Sequence, residues 1–458
     1  MSEVAAVILA AGKGTRMKSD LVKVLHTVGG MPLVAWPVMS ARQAGAGRMV
    51  LVVGHQADKV REYFAREEGM GFAAQEEQLG TGHAVACARE ALAGFTGTVL
   101  ILCGDVPLIR GETLSAMLAE HRQRNATLTV LTTHLDNPHG YGRVVKREGG
   151  RVLRIVEEKD ATLDERQIRE INSGIYCVEA GFLFDAVASL RNDNVQGEYY
   201  LTDIVTQAAE RGLLAIAFSI DDPNEVMGVN DRVQLAAAGT VIRRRINEGL
   251  MLAGTTIVDP ASTYIDGTVQ IGTDTIIHPN VQISGNTVIG TGCIIEPSVV
   301  IRDCRIADRA TIKAGSVLTG STVGEETAVG PMAHLRPETS LGAHVKIGNF
   351  VETKKIDMGE GSKSSHLTYL GDATIGRDVN IGCGTITCNY DGVKKHRTVI
   401  EDGVFVGSDV QLVAPVTVGR NSLIAAGTTV TQDIPPDSLA IARSPQVNKV
   451  GWKLKKRE

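Results

Sequence analysis

Ile265, Ile271, Ile277, Ile283, Ile289, Ile295 and Ile301 stand six residues apart without a break. Chance would rarely keep seven aliphatic residues in such register, so the series is a repeat. A six-residue rung is one side of a triangular parallel β-coil, with the aliphatic residue pointing inward. After a five-residue step the series resumes at Ile306, Ile312 and Leu318, and after another at Val323, Val329, Leu335, Leu341 and Ile347. Ile375 and Ile381 follow, then Ile400, Val406, Leu412, Val418, Ile424 and Val430. Glycine often comes next, as at Gly272, Gly290, Gly348, Gly376, Gly382, Gly407 and Gly419, where a missing Cβ permits the corner. Residues 350–371 and 388–397 read as interruptions of this coil, the second as an inserted loop. Loops on rigid scaffolds are where functional side chains concentrate.

The first half has another rhythm. Residues 49–54, 98–105 and 126–135 are apolar runs that predict strands, and 33–45 and 111–125 carry apolar residues at helical spacing. Such alternation predicts a largely parallel sheet covered by helices, with ligands beyond the carboxyl ends of its strands. Residues 231–254 have helical composition and no six-residue repeat, and so read as a connecting helix. The expected division is therefore 1–230, a linker helix over 231–254, and a coil with a C-terminal tail over 255–458. A chain of 458 residues exceeds what one core usually serves, which also favours two domains.

A formal net charge of −5 gives no basic field for nucleic acid. Seven cysteines, an odd number with no C-x-x-C pair, suggest reduced thiols rather than a disulfide framework or a zinc site. The amino terminus has no basic leader and no apolar run reaches membrane-spanning length. These features predict a cytoplasmic protein with neither membrane nor nucleic-acid partners.

Residues 7–25, "VILAAGKGTRMKSDLVKVL", place two glycines, an arginine and two lysines after an apolar run. A strand that ends in a glycine turn before a helix offers N–H donors suited to phosphate. The spacing fails as a Walker A loop, because one residue separates Gly12 from Gly14, and Met17 stands where a dinucleotide fingerprint needs glycine. By itself the stretch is either a phosphate loop or a tight turn with solvated charges.

"LAAGKGTRM", "KVLH", "EQLGTGHA", "GDVPL", "GYGR", "VEEKDA", "INSGIY", "QGEYYLTD" and "GVND" occur in that order, followed in the coil by "GSKSSHLTYLGDA", "GTITCNYDG" and "GSDVQLVAPVTVG". The combination resembles the bacterial bifunctional N-acetylglucosamine-1-phosphate uridyltransferase and glucosamine-1-phosphate N-acetyltransferase family over nearly the whole chain. The resemblance implies a Rossmann-like α/β nucleotidyltransferase domain joined to a left-handed parallel β-helix, assembled as a homotrimer. It implies acetylation of glucosamine 1-phosphate by acetyl-CoA, then uridylyl transfer from UTP to N-acetylglucosamine 1-phosphate, supplying peptidoglycan and lipopolysaccharide precursors.

On that resemblance Arg16 and Lys23 meet the reacting phosphates, with Leu9, Ala10, Gly12 and Gly14 around the nucleotide. Asp105 and Asn230 are expected to hold Mg2+, a hard ion that needs only one or two protein oxygens. Gln75, Gly80 and Thr81 map to uracil selection, and Gly142, Glu157 and Asn172 to the sugar. Cys103 stands where relatives often carry tyrosine. In the second half His366 matches the general base that acetyl transfer to an amine requires. Arg336, Lys354, Tyr369, Asn380 and Lys395 map to the sugar phosphate, and Glu352 and Asn389 to positioning of the amine. Cys383, Asn389, Tyr390, Ser408, Ala426 and Arg443 map to acetyl-CoA. Two other readings stay open on the residues alone: a nucleotidyltransferase whose coil serves only for trimerisation, and a non-catalytic scaffold.

Overall fold

The computed structural model describes residues 3–147 and 150–452; the last residues of the expected C-terminal tail lie outside them. The chain divides into two compact units, Met1–Ile242 and Arg243–Glu458. The division falls inside one long helix, Arg232–Leu252.

In the first unit, strands β1 (Val4–Ala10), β2 (Ala46–Val53), β3 (Met70–Ala74), β4 (Thr98–Cys103) and β5 (Leu128–His134) are joined by β6 (Arg143–Lys146), β7 (Val152–Val156), β8 (Glu170–Glu179) and β9 (Ala215–Ile220). The sheet order is β9-β5-β8-β4-β1-β2-β3. β8 runs antiparallel to both β4 and β5, so the sheet is mixed where the alternating pattern predicted a largely parallel one. The short hairpin β6–β7 makes local strand pairing available to β8, which a helical crossover does not.

Alternate residues feed two cores. Ala6, Ile8 and Ala10 of β1 face one layer, with Leu51, Leu100 and Leu102; Ala5 and Val7 face the other, with Val50, Val52, Val99 and Ile101. Because β1, β2, β3 and β4 are parallel, their carboxyl ends open on the same side. The loops that leave them therefore share one crevice. The loop after β1 leads into a single 3₁₀ turn, Thr15–Met17, and not into an α-helix. Gly14 on one side of that turn and Lys18 on the other have left-handed backbones, which a continuing α-helix does not tolerate.

The second unit is a parallel β-coil with three inward ladders. One runs Ile277, Ile295, Ile312, Val329, Ile347, Ser364, Ile381, Val406, Ile424, Ala440. With the hexapeptide repeats this is a left-handed parallel β-helix. The supposed interruption at 350–371 is no interruption. Strands Lys346–Met358 and Lys363–Ile375 pair in parallel along most of their lengths, from Lys346 opposite Lys363 to Met358 opposite Ile375. The aliphatic register lapses because Thr353 and Ser364 occupy buried inward positions. Thr353 meets Thr339 hydroxyl to hydroxyl at 3.0 Å, a polar substitute for aliphatic packing. The segment at 388–397 is a true insertion: Ile375 pairs with Ile400, whereas Met358 pairs with Ile375.

Candidate active sites

In the first unit a cavity of about 350 Å³ is lined by Leu9, Ala10, Gly12, Lys23, Gln75, Gly80, Thr81, Cys103 and Asp105. Its charged centre is Lys23, whose ammonium forms an ion pair with Asp105 and donates a hydrogen bond to Asn230 Oδ1 at 3.2 Å. The chain brings these three together from distant positions: Lys23 opens a 3₁₀ turn, Asp105 follows β4 and Asn230 precedes the long helix. Val229 N–H donates to the Asp105 carbonyl at 2.8 Å, which ties the segment before the long helix to the loop after β4. Gly14 is required where it stands: its φ is +62°, and a Cβ there would lie 2.4 Å from Lys23 Cβ. Gly12 differs, since a Cβ would meet nothing within 4 Å. Gly12 lines the cavity, so its backbone stands where a ligand can approach closely.

Gln75, nearly enclosed, donates to the Gly80 carbonyl at 3.0 Å, and Thr81 Oγ1 accepts from Leu201 N–H at 3.1 Å. Gly142, Glu157 and Asn172 form a second cluster. Asn172 N–H donates to the Gly142 carbonyl at 2.9 Å, and a Cβ on Gly142 would lie 3.5 Å from Glu157 Oε1. Burial pushes the Glu157 carboxyl up, and the carboxylates of Asp160, Asp203 and Glu198 add to the rise. Burial likewise raises the Cys103 thiol to about 12, helped by Asp105, so it remains a neutral donor to the Gly174 carbonyl. Arg16 is exposed, makes no ion pair or hydrogen bond among the described residues, and is not part of the cavity wall. Gln78 and Glu198 line the cavity, although the sequence reading assigned them no role. Both lie inside the shared motifs, and Gln78 donates to the Ala11 carbonyl at 2.6 Å, pinning the glycine loop.

On the coil, Arg336, Lys354 and Lys395 converge. Arg336 pairs with Glu352 at 2.8 Å, and Lys395 reaches Asp372 at 3.9 Å. Lys395, then Arg336, pull the Lys354 ammonium below its ordinary value, with Asp372 opposing them. Gly371 makes room for the site, since a Cβ there would lie 2.4 Å from the Tyr369 hydroxyl and 2.8 Å from Asn389 Nδ2. Asp372, which the sequence reading missed, is the hub: Asn389 Nδ2 donates to it at 2.5 Å. It sits in the stretch "YLGDA", and its carboxylate was the signal.

His366, Cys383, Ser408, Ala426 and Arg443 lie on successive coils along one edge. The neighbouring register fixes this: Lys363 is opposite Asn380, Asn380 opposite Phe405 and Phe405 opposite Leu423, while Arg443 donates to the Ala426 carbonyl. Four coil steps of about 4.8 Å give this edge a run of about 19 Å. Asn380 stacks with Lys363 on the adjoining face. Asn389 and Tyr390 are not on the edge. Asn389 is committed to Asp372, and the Tyr390 hydroxyl donates to the Gly392 carbonyl at 2.6 Å.

Residues 5–223 match the nucleotidyl transferase family, 260–358 the GMPPB C-terminal domain, and 397–432 the bacterial transferase hexapeptide (six repeats). The chain is 68% identical over 457 residues to the bifunctional protein GlmU of Geotalea uraniireducens, covering all of both chains. The chain belongs to the GlmU family. The GlmU of Geobacter metallireducens is 67% identical, again over the whole of both chains. That of Exiguobacterium sibiricum is 52% identical over 98% of this chain and 99% of its own. The Lys23 cavity and the coil edge thus both lie within the span shared with GlmU proteins.

Proposed function

We propose that the chain catalyses two successive steps of UDP-N-acetylglucosamine synthesis. At the coil edge acetyl-CoA acetylates glucosamine 1-phosphate. In the first unit the N-acetylglucosamine 1-phosphate so formed attacks the α-phosphorus of UTP and pyrophosphate leaves. The observation that carries this reading is that each unit holds its own cationic centre, Lys23 beside Asp105 and Asn230 in the first and Arg336, Lys354 and Lys395 together on the coil.

In the first unit Lys23 and the N–H groups around Gly12 would neutralise and hold the triphosphate, with Arg16 closing on it from outside the cavity. Gln75, Gly80 and Thr81 would take the uracil edge, and Gly142, Glu157 and Asn172 the sugar. The Asp105 and Asn230 oxygens converge on an ammonium, an arrangement that suits a cation, and they are the residues that would hold Mg2+. Bound there, the ion would supply charge neutralisation for the phosphate oxygens.

On the coil, Arg336, Lys354 and Lys395 outnumber their counter-charges and would bind the sugar phosphate, with Tyr369 and Asn380 on its hydroxyls. His366 would take the proton from the amine as nitrogen attacks the thioester carbon and the CoA sulfur leaves. The coenzyme would lie along Cys383, Ser408 and Ala426 towards Arg443. We assign the first reaction's machinery to the coil, 255–458, the second to residues up to 230, and the connection to 231–254.

The homotrimer is supported by the coil surface. Met332, Phe350 and Leu367 succeed one another at a single corner, all exposed and all with left-handed φ of 53°, 57° and 42°. Bulky apolar side chains at strained exposed corners are costly unless another copy covers them. No described helix is long and apolar enough to cross a membrane. A cytoplasmic setting is supported by seven cysteines that are all free. The test is to supply glucosamine 1-phosphate, acetyl-CoA, UTP and Mg2+, then omit one at a time. CoA release should need only the first two, and pyrophosphate release all four. CoA release that failed under every condition would leave a nucleotidyltransferase with a structural coil.

A further inference from the structure

His366 lies directly opposite Asn349 in the parallel pairing of Lys346–Met358 with Lys363–Ile375. The imidazole Nδ1 is 3.1 Å from Asn349 Oδ1. A carboxamide oxygen has no hydrogen to give, so the ring must donate, and Nδ1 carries the proton of the neutral imidazole. The other nitrogen, Nε2, then keeps its lone pair. The backbone is also held at this point, because Thr368 Oγ1 donates to the His366 carbonyl at 2.7 Å. No other described side chain competes for the ring. The next coil presents Cys383 at the equivalent place, Lys346 and Lys363 come before the edge, and beyond it Glu352 is already paired with Arg336.

We infer that Asn349 is a positioning residue for acetyl transfer: its side-chain oxygen selects the His366 tautomer and ring orientation in which Nε2 is the base. The inference rests on the assignment of His366 as the base, and it adds a residue one coil away that no motif marked. A partner on the far nitrogen of a working histidine decides which nitrogen is available to react. A carboxamide does so without adding a charge beside the ring.

The test compares Asn349→Leu and Asn349→Asp with the unaltered protein, measuring CoA release from acetyl-CoA and glucosamine 1-phosphate between about pH 5.5 and 9.5. Asn349→Leu should lower kcat about 10- to 100-fold with little change in either KM, the span found when outer partners of a working histidine are lost. Asn349→Asp keeps an acceptor and should retain most of kcat, but its charge favours the imidazolium. The acidic limb of its profile should therefore move up by about one pH unit or more. Acetyl-CoA binding, measured by calorimetry, should be unaltered in both and reports that the coil is folded. Wild-type kcat in Asn349→Leu, or an unmoved limb in Asn349→Asp, would overturn the inference while an inactive His366→Ala still upheld the base. Near-normal acetylation by His366→Ala would instead remove the base assignment itself.

Discussion

The two candidate sites are built in opposite ways. Around Lys23 the partners come from positions 105 and 230, far apart in the sequence and tied to each other by the Val229 N–H on the Asp105 carbonyl. Along the coil edge His366, Cys383, Ser408, Ala426 and Arg443 recur at intervals of 17, 25, 18 and 17 residues, each interval one turn of a coil. A repeat converts sequence distance into spatial distance, so one residue of a site predicts the next. An α/β sheet offers no such conversion. Independence of the two sites is the sharpest consequence of the contrast, and variants can break it.

The largest effect is expected for Asp105→Ala. It should abolish pyrophosphate release and leave CoA release nearly intact, since only the first unit uses that carboxylate. Equal loss of both in folded protein would mean that the sites are not separate. His366→Ala should do the reverse, lowering acetyl transfer by about 10²- to 10⁴-fold while uridylyl transfer to N-acetylglucosamine 1-phosphate supplied directly is untouched. A uridylyl rate that fell with it would again join what the structure separates.

The glycine loop sharpens the comparison within one site. Gly12→Ala has room in the free protein, so its Tm should hold while KM for UTP rises about 10- to 100-fold, as expected when N–H donors to a charged ligand are blocked. Gly14→Ala should lose both stability and rate, because its Cβ would collide with Lys23. An unchanged KM in Gly12→Ala would reduce that glycine to a turn residue.

The smallest effect concerns acid. Burial holds His121 below its ordinary value of 6.5, against the pull of Glu179, and burial and Arg232 do the same to His26. These two imidazoles bind fewer protons in the folded unit than in the unfolded chain between their lowered values and 6.5, so the stability they contribute falls as pH drops through that window, while the raised Glu157 and Asp203 carboxyls act in the opposite sense. The coil depends on a different group. Its Asp391 is held well below its ordinary 3.8 by the Lys394 N–H, then by His396 and the Val393 N–H, so that contribution is lost only in stronger acid. Hydrogen exchange at about pH 7.5 and 5.5 should show loosening in the first unit alone. Equal loosening of the coil would contradict these environments.

Much of the coil was legible because an inward aliphatic is a local requirement repeated at a fixed step. It became illegible at Thr353 and Ser364, where polar residues take inward positions on two different ladders and a regular coil imitates a break. Asn349 escaped notice although the coil period places it one turn before His366. In the first unit the strands could be read, but the antiparallel β8 could not, because its direction depends on pairing with distant β4 and β5. The 3₁₀ turn after Gly14 escaped for a similar reason: glycine announces a bend but leaves the type of the next element open.

The carboxyl-terminal part of the long helix bears on how the coil begins. Ile246, Leu250 and Met251 pack against the coil core, and the fully buried Asn247 donates to the carbonyls of Pro260 and Thr263 at 2.9 and 3.0 Å. A parallel coil resembles a growing polymer, since each rung leaves a template for another and nothing in the repeat itself specifies a stop. The helix works as a terminator. It covers apolar surface that a further rung would otherwise cover, and Asn247 occupies backbone acceptors near the first rungs. Cutting before residue 243 would preserve that plug, whereas cutting at 255 would leave a bare end able to recruit the strands of other chains.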